Sequence, residues 1–266
     1  SLGIAHYTLG EMTQDAILLE NAIALFENSA KHAKHPNSET LNNWGIALMK
    51  LSEMTDDLSL VVPASEKFEQ AIAFHQKNRK DLAADPEWFY NYGCSLDYLG
   101  DYYQDPSYYE KAVQILTQVL HQYPNYTQAR YNLAVALTHF GDATGEVELI
   151  ENSLHHFEEL IKEDNEDETV LCDFGLALLT LSDIHLQSHA FTQGKKYFED
   201  SEAKLLHAAA QGSKNAYYWL ACLYSLNMNY PESIHFLEKA QDHDALPSLE
   251  ELEAEVWLEG VKTTSS

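Results

Sequence analysis

Histidine is where this sequence comes nearest to metal chemistry. His185 and His189 stand four apart, the spacing at which one helical turn can aim two imidazoles at a single ion, and His32 with His35 and His155 with His156 are further pairs. None is joined by a Cys-x-x-Cys pair, a His-Glu-x-x-His run or a third ligand at usable spacing, so surface histidines are expected and no metal. Cys94, Cys172 and Cys222 lie among apolar neighbours in helical stretches, with no triad-like histidine following, and read as buried or groove-lining thiols. The stretch Gly141-Asp142-Ala143-Thr144-Gly145 lacks the Lys-Ser/Thr that follows the glycines of a phosphate loop, and reads as a turn. On these grounds no catalytic residue, no cofactor and no enzymatic activity are expected.

Charge narrows the partners. In 266 residues there are 16 Lys+Arg against 42 Asp+Glu, a formal net charge of −26. Such a surface repels nucleic-acid phosphates and anionic lipid headgroups. With 45% hydrophobic and 11% aromatic residues the chain can nonetheless bury a core. No apolar run approaches the roughly 20 residues that span a bilayer, so no membrane insertion is expected. Three scattered cysteines make no disulfide framework and fit a reducing, cytoplasmic setting. The acids gather in two places: eleven between Asp142 and Glu168 against Lys162 alone, and eight between Glu238 and Glu259 against Lys239. Charge runs of this kind are usually solvated outer faces; the sharper reading is steering of a basic partner.

What would position any site is a repeat. The segments Leu2-Gly3-Ile4-Ala5, Trp44-Gly45-Ile46-Ala47, Tyr92-Gly93-Cys94-Ser95, Leu133-Ala134-Val135-Ala136 and Phe174-Gly175-Leu176-Ala177 align without gaps, and Leu220-Ala221-Cys222-Leu223 is a looser sixth copy. In the first five a large apolar residue follows and then a Gly/Ser-acid or Gly-acid pair, such as Leu99-Gly100-Asp101, which reads as the end of a helix. The small residue recurs at 3, 45, 93, 134, 175 and 221. Each copy is followed by a second stretch with apolar residues at helical spacing: Ala22-Ile23 with Phe26, Ala64 with Phe68, Ala112 with Leu116, Ser153 with Phe157, Lys196-Tyr197-Phe198, and Ile234 with Leu237. Paired helices repeated six times predict an all-α protein, an α-solenoid of about six antiparallel helix pairs in one domain over 1–266. Because the first copy begins at the third residue, the first repeat reads as truncated. Ser248 with Glu251 forms a capping box that opens a solvent-facing capping helix over 248–260.

The order large-x-x-large-small-x-x-large, then Ala-x-x-x-Phe, then Pro resembles the tetratricopeptide repeat. Phe89, Tyr92, Gly93, Leu96, Ala112, Leu116, Val119 and Pro124 fall on it, as do Tyr217, Leu220, Ala221, Tyr224, Ser233, Leu237 and Ala240. The last copy has the family's 16-residue gap between its helix landmarks, whereas Leu41 to Ala64, Phe89 to Ala112 and Arg130 to Ser153 each span 23. Seven added residues are about two turns, one for each helix, which keeps the buried face and lengthens the period to near 41. Asp105-Pro106 and Asp85-Pro86 read as N-caps with proline at the first helical position, and the stretch from Phe74 to Lys80 prolongs the helix after Ala71.

The resemblance implies a right-handed superhelix whose first helices line a concave groove, with side chains three before, one after, and four or five after each small residue facing it. It nominates Asn42, Ile46, Lys50, Tyr90, Cys94, Asp97, Tyr98, Tyr131, Val135, Thr138, Cys172, Leu176, Tyr218 and Cys222 as partner-binding residues. Tyrosine suits such a wall, offering area and a hydroxyl together. Lys50 is the only strong cation in that set, so the carboxylate clamp of chaperone-binding relatives is not expected. The function implied is a scaffold or adaptor for a peptide or helical segment of another protein. The alternatives are a secretion or assembly chaperone for a hydrophobic partner, and a non-catalytic repeat region of a larger enzyme.

Overall fold

A computed structural model describes residues 1–32, 37–78, 85–163 and 167–264. Among them there is no strand, and the helices come in consecutive pairs. They are α1 (Leu2–Thr13) and α2 (Ala16–His32), α3 (Ser38–Thr55) and α4 (Val61–Asn78), α5 (Pro86–Tyr103) and α6 (Pro106–Gln122), α7 (Thr127–Thr144) and α8 (Val147–Glu163), α9 (Glu168–Gln187) and α10 (Phe191–Gln211), α11 (Asn215–Leu226) and α12 (Tyr230–Asp242). Two short helices, α13 (Leu249–Ala254) and α14 (Glu259–Thr264), flank a 3₁₀ turn over Val256–Leu258. The chain forms two compact units, Ser1–His139 (unit 1) and Phe140–Ser266 (unit 2), divided within α7.

Small residues decide how the two helices of a hairpin meet. At the small positions of the second helices, Ala22, Ala64, Ala112, Ser153, Ser201 and Ser233 are all 0% exposed. Four residues beyond each of these stands a large apolar side chain, and where the first helix carries glycine that side chain lies on it. A Cβ built on Gly45 would sit 2.6 Å from the Phe68 ring, on Gly3 2.8 Å from Phe26, on Gly93 2.8 Å from Leu116, and on Gly175 2.6 Å from Leu205. In the last two hairpins the pairing is also polar: Ser201 Oγ donates to the Gly175 carbonyl and Ser233 Oγ to the Ala221 carbonyl, each at 2.7 Å. From small residue to small residue the offset is 19 in the first four copies, 26 in the fifth and 12 in the sixth. These differ by seven, the interval that restores the same faces after about two turns.

The turns follow the same arithmetic. Eleven residues after the small residue of the first four copies, Gln14, Asp56, Gln104 and Gly145 hold the left-handed conformation (φ 52°, 53°, 52° and 72°), and each next residue donates its N–H back to the carbonyl of Gly10, Ser52, Gly100 or Gly141. Gln14 and Gln104 compensate the strain of lacking glycine by donating Nε2 to the Glu11 and Asp101 carbonyls, at 2.8 and 2.6 Å. In the fifth copy the left-handed residue is His189, at fourteen, and in the sixth Met228, at seven.

Several expectations change. The Gly/Ser-acid and Gly-acid pairs do not end helices: α1, α3, α5 and α7 run three residues past Gly10, Ser52, Gly100 and Gly141. These small residues instead admit a large side chain from the second helix, as Gly10 admits Leu19 and Gly100 admits Tyr109. Residues 141–144 are the last turn of α7, and only Gly145 is turn. In the fifth copy the landmarks lie at Ser201 and Leu205 rather than at Lys196-Tyr197-Phe198, because α9 and α10 have 20 and 21 residues. The terminal helix expected over 248–260 opens with its capping box at Ser248 and Glu251 but breaks at Glu255, which is extended. Finally, α9 is by length and composition able to cross a membrane, contrary to the reading of the sequence; 61% of that window is buried within the fold, as befits the central helix of unit 2.

The caps at Asp85 and Asp105 are formed, each side chain accepting the N–H two residues on, at 3.0 and 2.9 Å. Helix α4 continues to Asn78, while Arg79 and Lys80, like His35, Asn165 and the centre of the acidic run at 164–166, lie outside the described residues.

If close approach holds each hairpin, Gly45→Ala lowers stability by about 1 kcal/mol, overpacking against Phe68 outweighing the gain in helix propensity. Gly45→Val then costs about 3 kcal/mol. Denaturant midpoints read both, and a valine variant as stable as the parent contradicts the account.

Candidate functional site

Each first helix spends one face on its own second helix. Positions three before, one after, four or five after, and eight after the small residue share a different sector, because 3.6 residues per turn returns them to the same side. In unit 1 this stripe carries Tyr7 and Glu11 on α1; Asn42, Ile46, Lys50 and Glu53 on α3; Tyr90, Cys94, Asp97, Tyr98 and Asp101 on α5; and Tyr131, Val135, Thr138 and His139 on α7.

Part of the stripe is spent on joining neighbouring first helices. Asn91 Nδ2 donates to Asn42 Oδ1 at 3.2 Å, linking α5 to α3. Asn132 Nδ2 donates to the Tyr90 hydroxyl at 3.1 Å, and His139 Nδ1 lies 3.1 Å from both Asp97 oxygens, linking α7 to α5 at two levels. The Tyr90 ring packs on Tyr126 with centroids 5.3 Å apart, and its hydroxyl bonds the Cys94 thiol. Asn42 and Thr138 are buried, and Ile46 packs beside the Leu48, Ala64 and Phe68 cluster. Tyr131, Val135, Cys94 and Lys50 are half-buried, and of the nominated residues Tyr98 is the most open, at 38% exposure.

The acids of the stripe are the residues that sequence reasoning passed over. Glu11, Glu53 and Asp101 belong to the very pairs read as helix stops, and lie at the eighth position of the stripe. Tyr7 donates its hydroxyl to Glu11 at 3.1 Å, Lys50 Nζ reaches Glu53 at 2.8 Å, and Tyr109 donates to Asp101 at 2.6 Å. Burial, and then the fields of Glu53, Cys94, Asp97 and Asp101, push the Tyr98 phenol up to about 12. Burial with Glu11, Glu53 and Glu87 raises Tyr7 further. The signal that could have found these acids was present: eight is one more helical step beyond minus three, one and four.

In unit 2 the nominated residues meet a different fate. Cys172, Tyr218 and Cys222 are buried, at 4%, 5% and 0% exposure, so these three offer a partner no surface; Leu176 is half-buried. Tyr218 donates its hydroxyl to Glu255 at 3.1 Å, and Trp257 Nε1 donates to Asp183, the eighth-position acid of its copy, at 2.9 Å. Burial pushes the Cys94 and Cys172 thiols up to about 12 and Cys222 higher still, the opposite of an activated nucleophile.

His185 and His189 do not form a helical pair. Helix α9 ends at Gln187, His189 sits in the left-handed turn with its ring near Phe191, and His185 stacks on Tyr197 at 5.3 Å. Among the described residues no group of three or more His, Cys, Asp and Glu is arranged to hold a metal.

No protein-family model matches the chain, and no curated protein matches it. Its likeness is to solved structures. A tetratricopeptide repeat protein from Parabacteroides merdae superimposes with a TM-score of 0.60 at 15% identity, covering 99% of this chain and 84% of that one. PilW, a type IV pilus biogenesis factor, gives 0.54 at 13% identity over 100% and 99%. MamA from Desulfovibrio magneticus RS-1, residues 41 to its end, gives 0.50 at 17% identity over 80% and 98%. The fold is therefore a tetratricopeptide-repeat-like α-solenoid.

The tyrosines make the electrostatics measurable. Because the folded pKa of Tyr98 lies above the usual value near 10, its contribution to stability is full below about pH 10 and is lost as pH rises through 12. In an alkaline titration part of the phenolate absorbance of the 16 tyrosines should stay absent at about pH 11 and appear together with loss of helicity. Complete ionisation in one step near pH 10 with helicity intact would contradict this.

Proposed function

We propose that this protein is a non-catalytic interaction scaffold, and that the first-helix stripe of unit 1 holds a positively charged segment of another protein. The observation that carries the reading is Tyr98, open on the stripe and lying in the fields of Glu53, Asp97 and Asp101. An aromatic face among carboxylates accepts a lysine or arginine twice over, through the ring quadrupole and through charge. Lys50, the cation on this stripe, is already paired with Glu53. The net charge of −26 acts in the same direction at longer range, speeding the approach of a basic partner.

The nominated residues divide by role on this reading. Tyr90, Asn42 and Asp97 hold adjacent helices at fixed spacing and so shape the surface. Tyr98 with Glu53, and at the same register positions the half-buried Cys94, Tyr131 and Val135, is the surface a partner touches. The fold supports a scaffold, since a solenoid presents a row of similar helices to an extended ligand.

The test is a fluorescent peptide of lysine, arginine and tryptophan in a glycine-serine backbone, with glutamate in place of its cations as control. The basic peptide binds and the acidic one does not. Affinity falls about tenfold between low and physiological salt, as screening shortens the reach of the acids. Tyr98→Ala with Glu53→Gln weakens binding about tenfold while the helical circular dichroism is kept. Flat salt dependence, or equal binding by the double variant, rejects the reading.

A further inference from the structure

In unit 2 the first-helix stripe is covered in part by residues 255–262 of the same chain. After α13 the backbone straightens at Glu255 (φ −66°, ψ 110°) and the 3₁₀ turn carries it onto α11. Glu255 accepts the Tyr218 hydroxyl, Trp257 donates its indole N–H to Asp183 on α9, and the Trp257 ring stands edge-on to Trp219 at 6.2 Å. Leu258 and Val261 complete the seat, at 3% and 7% exposure. Lys262 Nζ donates to the carbonyls of Glu253 and Glu255, both at 2.9 Å, which folds the segment back on itself.

The positions gripped are specific ones. Asp183 is the eighth-position acid of the fifth copy, and Tyr218 stands three before the small residue of the sixth. In unit 1 the corresponding pair is Glu53 and Tyr90. The terminal segment therefore engages the stripe as a ligand would, with a carboxylate for the tyrosine, an indole donor for the acid and an aliphatic side chain for the space between helices.

From this seat we infer that the face of α9 and α11 is a docking site for a segment of the form carboxylate-x-tryptophan-aliphatic, filled in cis by Glu255-Val256-Trp257-Leu258, and that a partner segment of this chemistry binds by displacing it. The inference concerns unit 2 alone and does not rest on the reading of unit 1. Leu249 and Val256, beside its anchors, are 72% and 66% exposed, whereas the Tyr218–Glu255 and Trp257–Asp183 hydrogen bonds and the buried Leu258 and Val261 hold it, so a competing segment must supply the same carboxylate, indole and aliphatic groups. Tethering gives it a high effective concentration, so a free segment competes only when it binds better or the cis copy is weakened.

A labelled peptide reproducing residues 246–264, added to the full chain, tests this. It binds the Trp257→Ala, Leu258→Ala chain at least about tenfold more tightly than the unsubstituted chain, because the tethered competitor is gone. Adding Asp183→Asn and Tyr218→Phe removes that gain. Equal affinity for all three chains overturns the inference. Should the alanine variant lose helicity, hydrogen exchange on the unsubstituted chain decides: excess peptide speeds exchange of the amides at 256–262 while those of α11 stay protected. Exchange unchanged across the titration overturns it.

Discussion

The protein depends on one close approach, repeated along the chain: a first helix that carries a small residue where its partner lays down a ring or a branched aliphatic. Tyr109 over Gly100 and Ile150 over Gly141 are the tightest of these, with Phe68 over Gly45 and Leu205 over Gly175 next. The contact is too short for a large side chain at the small position, and it sets the rotation of each helix about its axis. Once that rotation is set, the face left for other work is set too. The stripe on which Tyr98, Glu53 and Asp183 lie is thus a by-product of how the hairpins close.

That stripe serves two purposes at once, and the geometry separates them. Amide, hydroxyl and carboxylate groups facing one another across adjacent first helices satisfy each other, as Asn42 with Asn91 and Asp97 with His139 do. Such bonds satisfy polar groups drawn out of water, Asn42 among them, and tie neighbouring first helices together. What remains after this mutual satisfaction is the open Tyr98 ring beside four stripe acids against Lys50 in unit 1, and a filled seat in unit 2.

The repeat, its helical period, the identity of the buried small residues in five copies and the caps at Asp85, Asp105 and Ser248 were all legible in the amino-acid order. The reason is that each depends on neighbours within one hairpin. The fifth copy misled because Lys196-Tyr197-Phe198 presents an apolar cluster where a 23-residue spacing is expected, whereas two longer helices move the landmark to Ser201. Gly/Ser-acid pairs resemble helix stops, but the stop belongs to a left-handed residue four further on, three times out of four not a glycine. Candidate site residues were legible as register only. Register puts Tyr218 and Cys222 at the stripe positions; it cannot say that Glu255 and Trp257 will pack there, since that cover comes from a segment without the repeat pattern.

The left-handed residues at eleven, fourteen and seven after the small residue have a consequence for unit 2 that no side chain determines. At about 1.5 Å of rise per residue, α9 runs about 10 Å further past its small residue before the left-handed turn than α11 does. Two hairpins of one unit thus differ in length by about two helical turns while their buried faces stay in step.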